Sequence, residues 1–145
     1  MLEIYIDGSA GPTNPGPGGF GVVIVENGEI IATHSERCEM TTNNKEEIKG
    51  ILWALENFGK TNNPTIYSDS NYCVQTFNNW MYSWERKGWK KSDNRTPENL
   101  DLIKRVYSLI VEEDYMMNLV KVKGHSGLLY NELADKLAKG ENIIE

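Results

Sequence analysis

The sequence predicts a single mixed α/β domain with the element order βββαβααβα. Three observations carry this expectation. The first forty residues hold β-rich runs of two-residue period separated by turn signals, and from Thr42 the apolar period changes to that of a helix. Strand and helix patterns then alternate, and no repeat, low-complexity tract or interdomain linker interrupts them. A chain of 145 residues, 39% hydrophobic and 25% charged, suits one core of ordinary size spanning residues 1–145.

In Leu2 to Asp7, Leu2, Ile4 and Ile6 share one face and Glu3, Tyr5 and Asp7 the other, which predicts a strand ending in an acid. The loop GSAGPTNPGPGG follows, then FGVVIVENGEIIATHSE, where Asn27-Gly28 between two β-rich runs predicts a hairpin. From Thr42, the residues Ile48, Ile51, Leu52, Leu55 and Phe58 recur at helical spacing, and Gly59 supplies a stop. Thr65 to Asp69 reads as a fourth strand, and Ser70 opens a helical stretch through Val74 and Phe77. Thr96-Pro97 offers an N-cap and a first-turn proline for a helix striped by Leu100, Ile103, Val106, Tyr107 and Ile110. Tyr115 to Lys123 resembles a fifth strand, and Leu129, Leu133 and Leu137 form the ridge of a last helix.

Fifteen Lys and Arg against twenty-one Asp and Glu give a formal charge of −6, which excludes a strongly basic nucleic-acid module on bulk composition. Local charge differs: Trp80 to Arg95 holds Trp80, Trp84 and Trp89 among five bases and only two acids. The N-terminus lacks a signal-peptide pattern and no apolar run approaches membrane-spanning length, so a soluble, cytoplasmic protein with no membrane association is expected. Cys38 and Cys73 lack metal-site spacing and fit a reducing compartment.

Hard divalent metals require oxygen ligands converging from distant parts of a chain. Asp7 precedes a Gly-rich loop at a strand's end, although Asp-Gly is also ordinary turn chemistry. Asp69 ends a strand at the sheet edge where α/β ligands bind, and could equally be a helix N-cap. At about 100° per residue, Glu47 borders the Ile51 and Phe58 side of its helix while Glu46 points away. Asp135 lies off the Leu129, Leu133, Leu137 ridge, which alone reads as a solvated acid. His125, in the loop VKGHSG, is either a proton carrier or a polar loop residue. Indoles interleaved with Lys and Arg suit a nucleic-acid backbone, although Val74, Phe77 and Trp84 also fit a core stripe.

Five motifs in order, YIDGS with NPGPGG, TTNNKEE, YSDSNY, WMYSWERKGWK, and VKGHSG with NELAD, make the chain resemble ribonuclease H of type 1 from Ile4 to about Ala138. The resemblance implies an RNase H-like fold: a five-stranded mixed sheet in order 3-2-1-4-5, flanked by helices and carrying a basic protrusion. It implies metal-binding acids at Asp7, Glu47, Asp69 and Asp135, with His125 assisting proton transfer or product departure. By the same resemblance Asn14, Asn43, Asn44 and Asn71 touch the minor groove of an RNA/DNA hybrid, and Thr42 holds a DNA phosphate. Trp80, Trp84, Lys87, Trp89 and Lys90 fall on the basic protrusion. Two departures stand out: the loop between Asp7 and Asn14 is one residue longer than the common bacterial pattern, and Glu85 stands where that pattern often has a base.

The implied activity is cleavage of the RNA strand by a monomer using two Mg²⁺ ions, with Mn²⁺ as a substitute, to give 5′-phosphate and 3′-hydroxyl ends. Two such ions would bring the formal charge from −6 to −2, which reconciles an acidic chain with a polyanionic substrate. The rivals are a DNA nuclease or strand-transferase on the same fold, and a non-catalytic hybrid-binding module.

Overall fold

Described over residues 2–123 and 129–141, the computed structural model opens with β1 (Leu2–Ala10), β2 (Gly16–Glu26) and β3 (Glu29–Thr41). Asn27 and Gly28 join β2 to β3 with φ of 53° and 79°, the positive-φ turn whose twist matches the flanking strands. Thr42 caps α1 (Asn43–Phe58), its hydroxyl accepting from the Lys45 N–H at 3.1 Å, and the Gly59 N–H closes the other end on the Leu55 carbonyl. After β4 (Thr65–Ser68), Ser70 caps α2 (Asn71–Gln75), which runs through a π-helical turn (Thr76–Trp80) into α3 (Met81–Arg86). Then come α4 (Leu100–Tyr107) with its π-helical extension (Ser108–Glu112), β5 (Asn118–Lys121) and α5 (Leu129–Ala138).

One five-stranded sheet results, in the order β3-β2-β1-β4-β5. The hairpin partners β1, β2 and β3 are antiparallel, while β1, β4 and β5 are parallel. Burial explains why β2 reads as an unbroken apolar run: Phe20, Val22 and Ile24 enter the main core beneath α1, and Val23 and Val25 pack on the opposite face against Ala134 and Leu137 of α5. The main core is much the larger. At about 1.5–3 kcal/mol per fully buried large apolar side chain, α5 is held mainly by a short seam and by close backbone approach. Gly21 permits that approach, since a Cβ there would lie 2.4 Å from the Ala134 carbonyl oxygen and 2.5 Å from Leu137 Cβ.

Two expected boundaries move. The fourth helix begins at Leu100 because Asn99 adopts a left-handed conformation (φ 59°, ψ 31°), and the Thr96 hydroxyl accepts from Lys90 Nζ at 3.1 Å rather than capping a helix. The fifth strand spans only Asn118–Lys121, since β4 offers four residues for pairing. Before it, the Tyr115 and Met116 N–H groups donate to the carbonyls of Leu109 and Gly59, so their backbone needs are met outside the sheet. Among the described residues, no helix is long and apolar enough to cross a membrane.

Candidate active site

Parallel pairing of β1 with β4 aligns Tyr5 with Tyr67. Extending that register by two residues places Asp7 beside Asp69, just past the end of β4. Glu47 arrives from above, on the first turns of α1, because Gly8 lets the helix backbone descend onto β1: a Cβ at Gly8 would stand 2.3 Å from the Glu47 nitrogen. The Gly8 N–H donates to Glu47 Oε1 at 2.7 Å and the Ser68 hydroxyl to Oε2 at 2.6 Å. Asp7, Glu47 and Asp69 each offer one oxygen, and these atoms lie within 4.8 Å of one another. An all-oxygen, anionic donor set of this kind fits a hard divalent cation.

Asp135 of α5 completes one wall of the same depression, about 350 Å³ in volume, whose lining includes Asp7, Glu47, Asp69, Asn43, Asn44 and Lys139. Its carboxyl shares a hydrogen bond with Asp7, and its Oδ2 lies 3.1 Å from Lys139 Nζ. The isolated helix wheel put this residue on a solvated face; that polar face borders the Asp7 cluster.

Without metal, burial first and then the Glu47 charge push the Asp7 carboxyl well above the ordinary carboxylate range, with Asp135 and Asp69 adding to the effect. Burial also raises Glu47, against the lowering effect of the Ser68 and Gly8 donors. A folded pKa above the unfolded value contributes stability below about pH 4 that is lost as pH rises toward the folded pKa. Replacing Asp7 with Asn is therefore expected to raise the melting temperature of the metal-free protein at neutral pH and to leave it little changed near pH 3. Calorimetric scans in EDTA at the two pH values check this.

Glu46 corrects the sequence expectation. It does not point away but is fully buried, accepting from the Thr41 hydroxyl at 2.6 Å and pairing with Lys49 Nζ at 3.0 Å, while its Oε1 has no hydrogen-bond partner. The wheel distinguishes faces against one packing partner, but the first turn of α1 is covered by the ends of both β1 and β3. Glu46 thereby ties the last residue of β3 to the first turn of α1. Glu46→Ala is expected to cost about 2 kcal/mol, through the unsatisfied Thr41 hydroxyl and the lost packing; chemical denaturation measures it.

The asparagines form a linked rim. Asn43 Oδ1 accepts from the Ala10 N–H at 2.6 Å, and the Asn43 N–H donates to Asn14 Oδ1 at 3.2 Å. Asn71 is exposed at the start of α2, one residue beyond Ser70 of the depression. Cys73 is buried behind the site, where burial and then the Glu47 charge push its thiol up to about 12. His125 lies outside the described residues.

Trp80, Ser83, Trp84, Lys87, Lys91 and Ser92 line a separate depression of about 310 Å³. Trp80 is its exposed indole, 6.1 Å from the Trp84 ring. Trp89 does another job: it packs edge-on against Tyr107 at 5.2 Å, with Lys104 Nζ 5.6 Å from its ring centroid. Three groups were not assigned to the site from the sequence. Ser68 and the Gly8 N–H, which orient Glu47, carried no sequence signal; Lys139 did, since it stands four residues after Asp135 on one helix.

A family model described as RNase H matches residues 1–142. A protein named Ribonuclease H from Caldanaerobacter subterraneus subsp. tengcongensis is 40% identical over 139 residues, covering 95% of this chain and 88% of that one. A Ribonuclease H from Salmonella arizonae is 36% identical, covering 96% and 87%. Among solved structures, LC9-RNase H1, described as a type 1 RNase H with the type 2 active-site motif, aligns with a TM-score of 0.79 at 26% identity over 96% of this chain and 70% of that one. LC11-RNase H1 in complex with RNA/DNA hybrid shares the fold at a TM-score of 0.71 and 23% identity, covering 97% and 96%. The sheet order, the converging acids and relatives of matching length agree: the chain belongs to the ribonuclease H family, type 1, and is a hydrolase.

Proposed function

We propose that this enzyme cleaves the RNA strand of RNA/DNA hybrids, leaving 5′-phosphate and 3′-hydroxyl ends, with two Mg²⁺ ions held by Asp7, Glu47, Asp69 and Asp135. The observation that carries the reading is the convergence of carboxylates from β1, α1 and the segment after β4 within 4.8 Å, in a depression rimmed by Asn43 and Asn44. Relatives named Ribonuclease H, and a fold relative solved with an RNA/DNA hybrid, support it. Cations bound there would supply Lewis acidity, activating a water for in-line attack and stabilising the leaving 3′-oxygen.

The chain's own residues do the rest. Gly8 and Ser68 hold both oxygens of Glu47, so that carboxylate is oriented before any cation arrives. Because the side-chain oxygens of Asn43 and Asn14 already accept backbone hydrogen bonds, their amide N–H groups are the ones directed to a minor groove, where 2′-hydroxyl oxygens and base edges accept. Asn44 and Asn71 extend that rim. Thr42 and the segment containing Trp80, Trp84, Lys87 and Lys90 face the DNA strand as a basic protrusion, which Trp89 anchors against Tyr107, and His125 assists proton transfer. The enzyme acts as one domain and as a monomer in the cytoplasm, a reducing setting that its two free cysteines fit.

Product ends test the chemistry: RNA fragments from a hybrid should serve as polymerase primers without phosphatase treatment, whereas 3′-phosphate or cyclic ends would overturn the reading. Changing Lys87, Lys90 and Lys91 together to Ala should raise KM and flatten the dependence of kcat/KM on salt, with kcat at saturation little altered. Steady-state kinetics across a KCl series would show it, and an unchanged slope would remove the protrusion from the interface.

A further inference from the structure

A second depression, about 230 Å³ in volume, adjoins the carboxylate site: Ser9 and Lys139 line both, and Gly11, Pro17 and Arg37 complete it. Among the described residues, no carboxylate lines it. Arg37 reaches it from β3, with Nη1 donating to the Ala138 carbonyl at 2.5 Å. Gly140 lies alongside, close enough that a Cβ there would stand 3.3 Å from Arg37 Cδ and 3.4 Å from Nε. Arg37 is exposed, and this one hydrogen bond tethers its guanidinium to the end of α5. Lys139 sits at the junction of the two depressions, its Nζ drawn toward Asp135.

An arginine on the last carbonyls of a helix has an ordinary explanation, since the C-terminal end is partially negative. That role occupies one N–H of five and leaves the positive charge without a carboxylate in this depression. Two bases of a chain with formal charge −6 thus line a depression that shares Ser9 and Lys139 with the acidic site. A planar guanidinium, tethered at one N–H and beside an ammonium, matches the non-bridging oxygens of a phosphodiester.

We propose that Arg37, with Lys139 and Ser9, forms a phosphate subsite that grips the backbone phosphate next to the one being hydrolysed, on the strand that is cut. The assignment rests on the hybrid-cleaving reading above, because it takes the carboxylate pocket as the position of the reacting phosphate. The subsite offsets the field of the four acids just where the strand leaves them, and it fixes the register of the scissile bond. Arg37 is a positioning residue.

Arg37→Gln separates the two roles, since a glutamine amide can still donate to the Ala138 carbonyl but carries no charge. The expected result is an unchanged melting temperature, a several-fold rise in KM for hybrid, and a loss of about 1 from the slope of log kcat/KM against log salt; Arg37→Lys should restore the slope. Hybrids carrying one neutral methylphosphonate at successive RNA positions then locate the contact. One position beside the cut should slow wild type several-fold and have no further effect on Arg37→Gln. A wild-type salt slope in Arg37→Gln, or additive effects at every methylphosphonate position, would overturn the subsite while leaving hybrid cleavage established. Failure of the wild-type protein to cut any hybrid would overturn the functional reading and the subsite with it.

Discussion

Asp69→Asn is expected to reduce hybrid cleavage by about 10³-fold or more while leaving the fold intact. Asp69 contributes one of three oxygens that converge within 4.8 Å, and unlike Asp7 and Glu47 it is only partly buried. The substitution preserves shape and removes one negative charge from the cluster. Lewis-acid stabilisation of the reacting phosphate is worth several kcal/mol, and each 1.4 kcal/mol is about tenfold in rate. Stability should move the other way: Asp69 is one of the charges that push the Asp7 carboxyl up, so its removal relieves repulsion in the metal-free protein. Cleavage rates at saturating Mg²⁺ and melting curves in EDTA measure the two effects. Near wild-type turnover would remove Asp69 from the metal site.

The second large effect is expected from Gly8→Ala, a change of one methyl group outside the acids themselves. The added Cβ would lie 2.3 Å from the Glu47 nitrogen, 2.7 Å from the Glu46 carbonyl carbon and 2.8 Å from Glu47 Cα. All three are backbone atoms, so no side chain can turn aside; β1 and α1 must separate. Overpacking of this kind costs about 1–3 kcal/mol. Separation also draws Glu47 away from Asp7 and lengthens its hydrogen bond from the Gly8 N–H. The variant should therefore fold with a lowered melting temperature and lose most of its kcat, and extra Mg²⁺ should restore only part of it. Wild-type values for both would show that Glu47 is not positioned by this contact.

The elements legible in the sequence are those decided by local chemistry. Asn27-Gly28 fixed the hairpin because few other residue pairs take two positive φ angles, and the change of apolar period at Thr42 marked the start of α1, which the Thr42 hydroxyl caps. What local chemistry misjudged was set by partners distant in the chain. The apolar run 115–123 exceeds its strand because β4 supplies only four residues to pair with. Thr96-Pro97 is a sound helix start by composition, yet the Thr96 hydroxyl goes to Lys90 and Asn99 turns left-handed before the helix begins.

The acids divide in the same way. Asp7 and Asp69 were readable as acids at strand ends, and the parallel register then makes them neighbours. Glu47 was separable from Glu46 by the wheel, although the burial of Glu46 was not, since it depends on the ends of β1 and β3. Asp135 could be found only through resemblance. Its place beside Asp7 is set by α5 lying against Gly21 of β2, a contact that no periodicity encodes.

Joint action of this carboxylate cluster and its asparagine rim on RNA paired to DNA is read out with matched RNA/DNA, RNA/RNA and DNA/DNA duplexes of one sequence, each strand labelled in turn, in Mg²⁺ and in EDTA. The expected result is Mg²⁺-dependent cutting of the RNA strand of the hybrid alone, with the DNA strand intact and the two homoduplexes largely spared. Equal cutting of the hybrid and the DNA duplex would contradict the account and favour a DNA nuclease, and binding of the hybrid without any cutting would make the chain a recognition module instead.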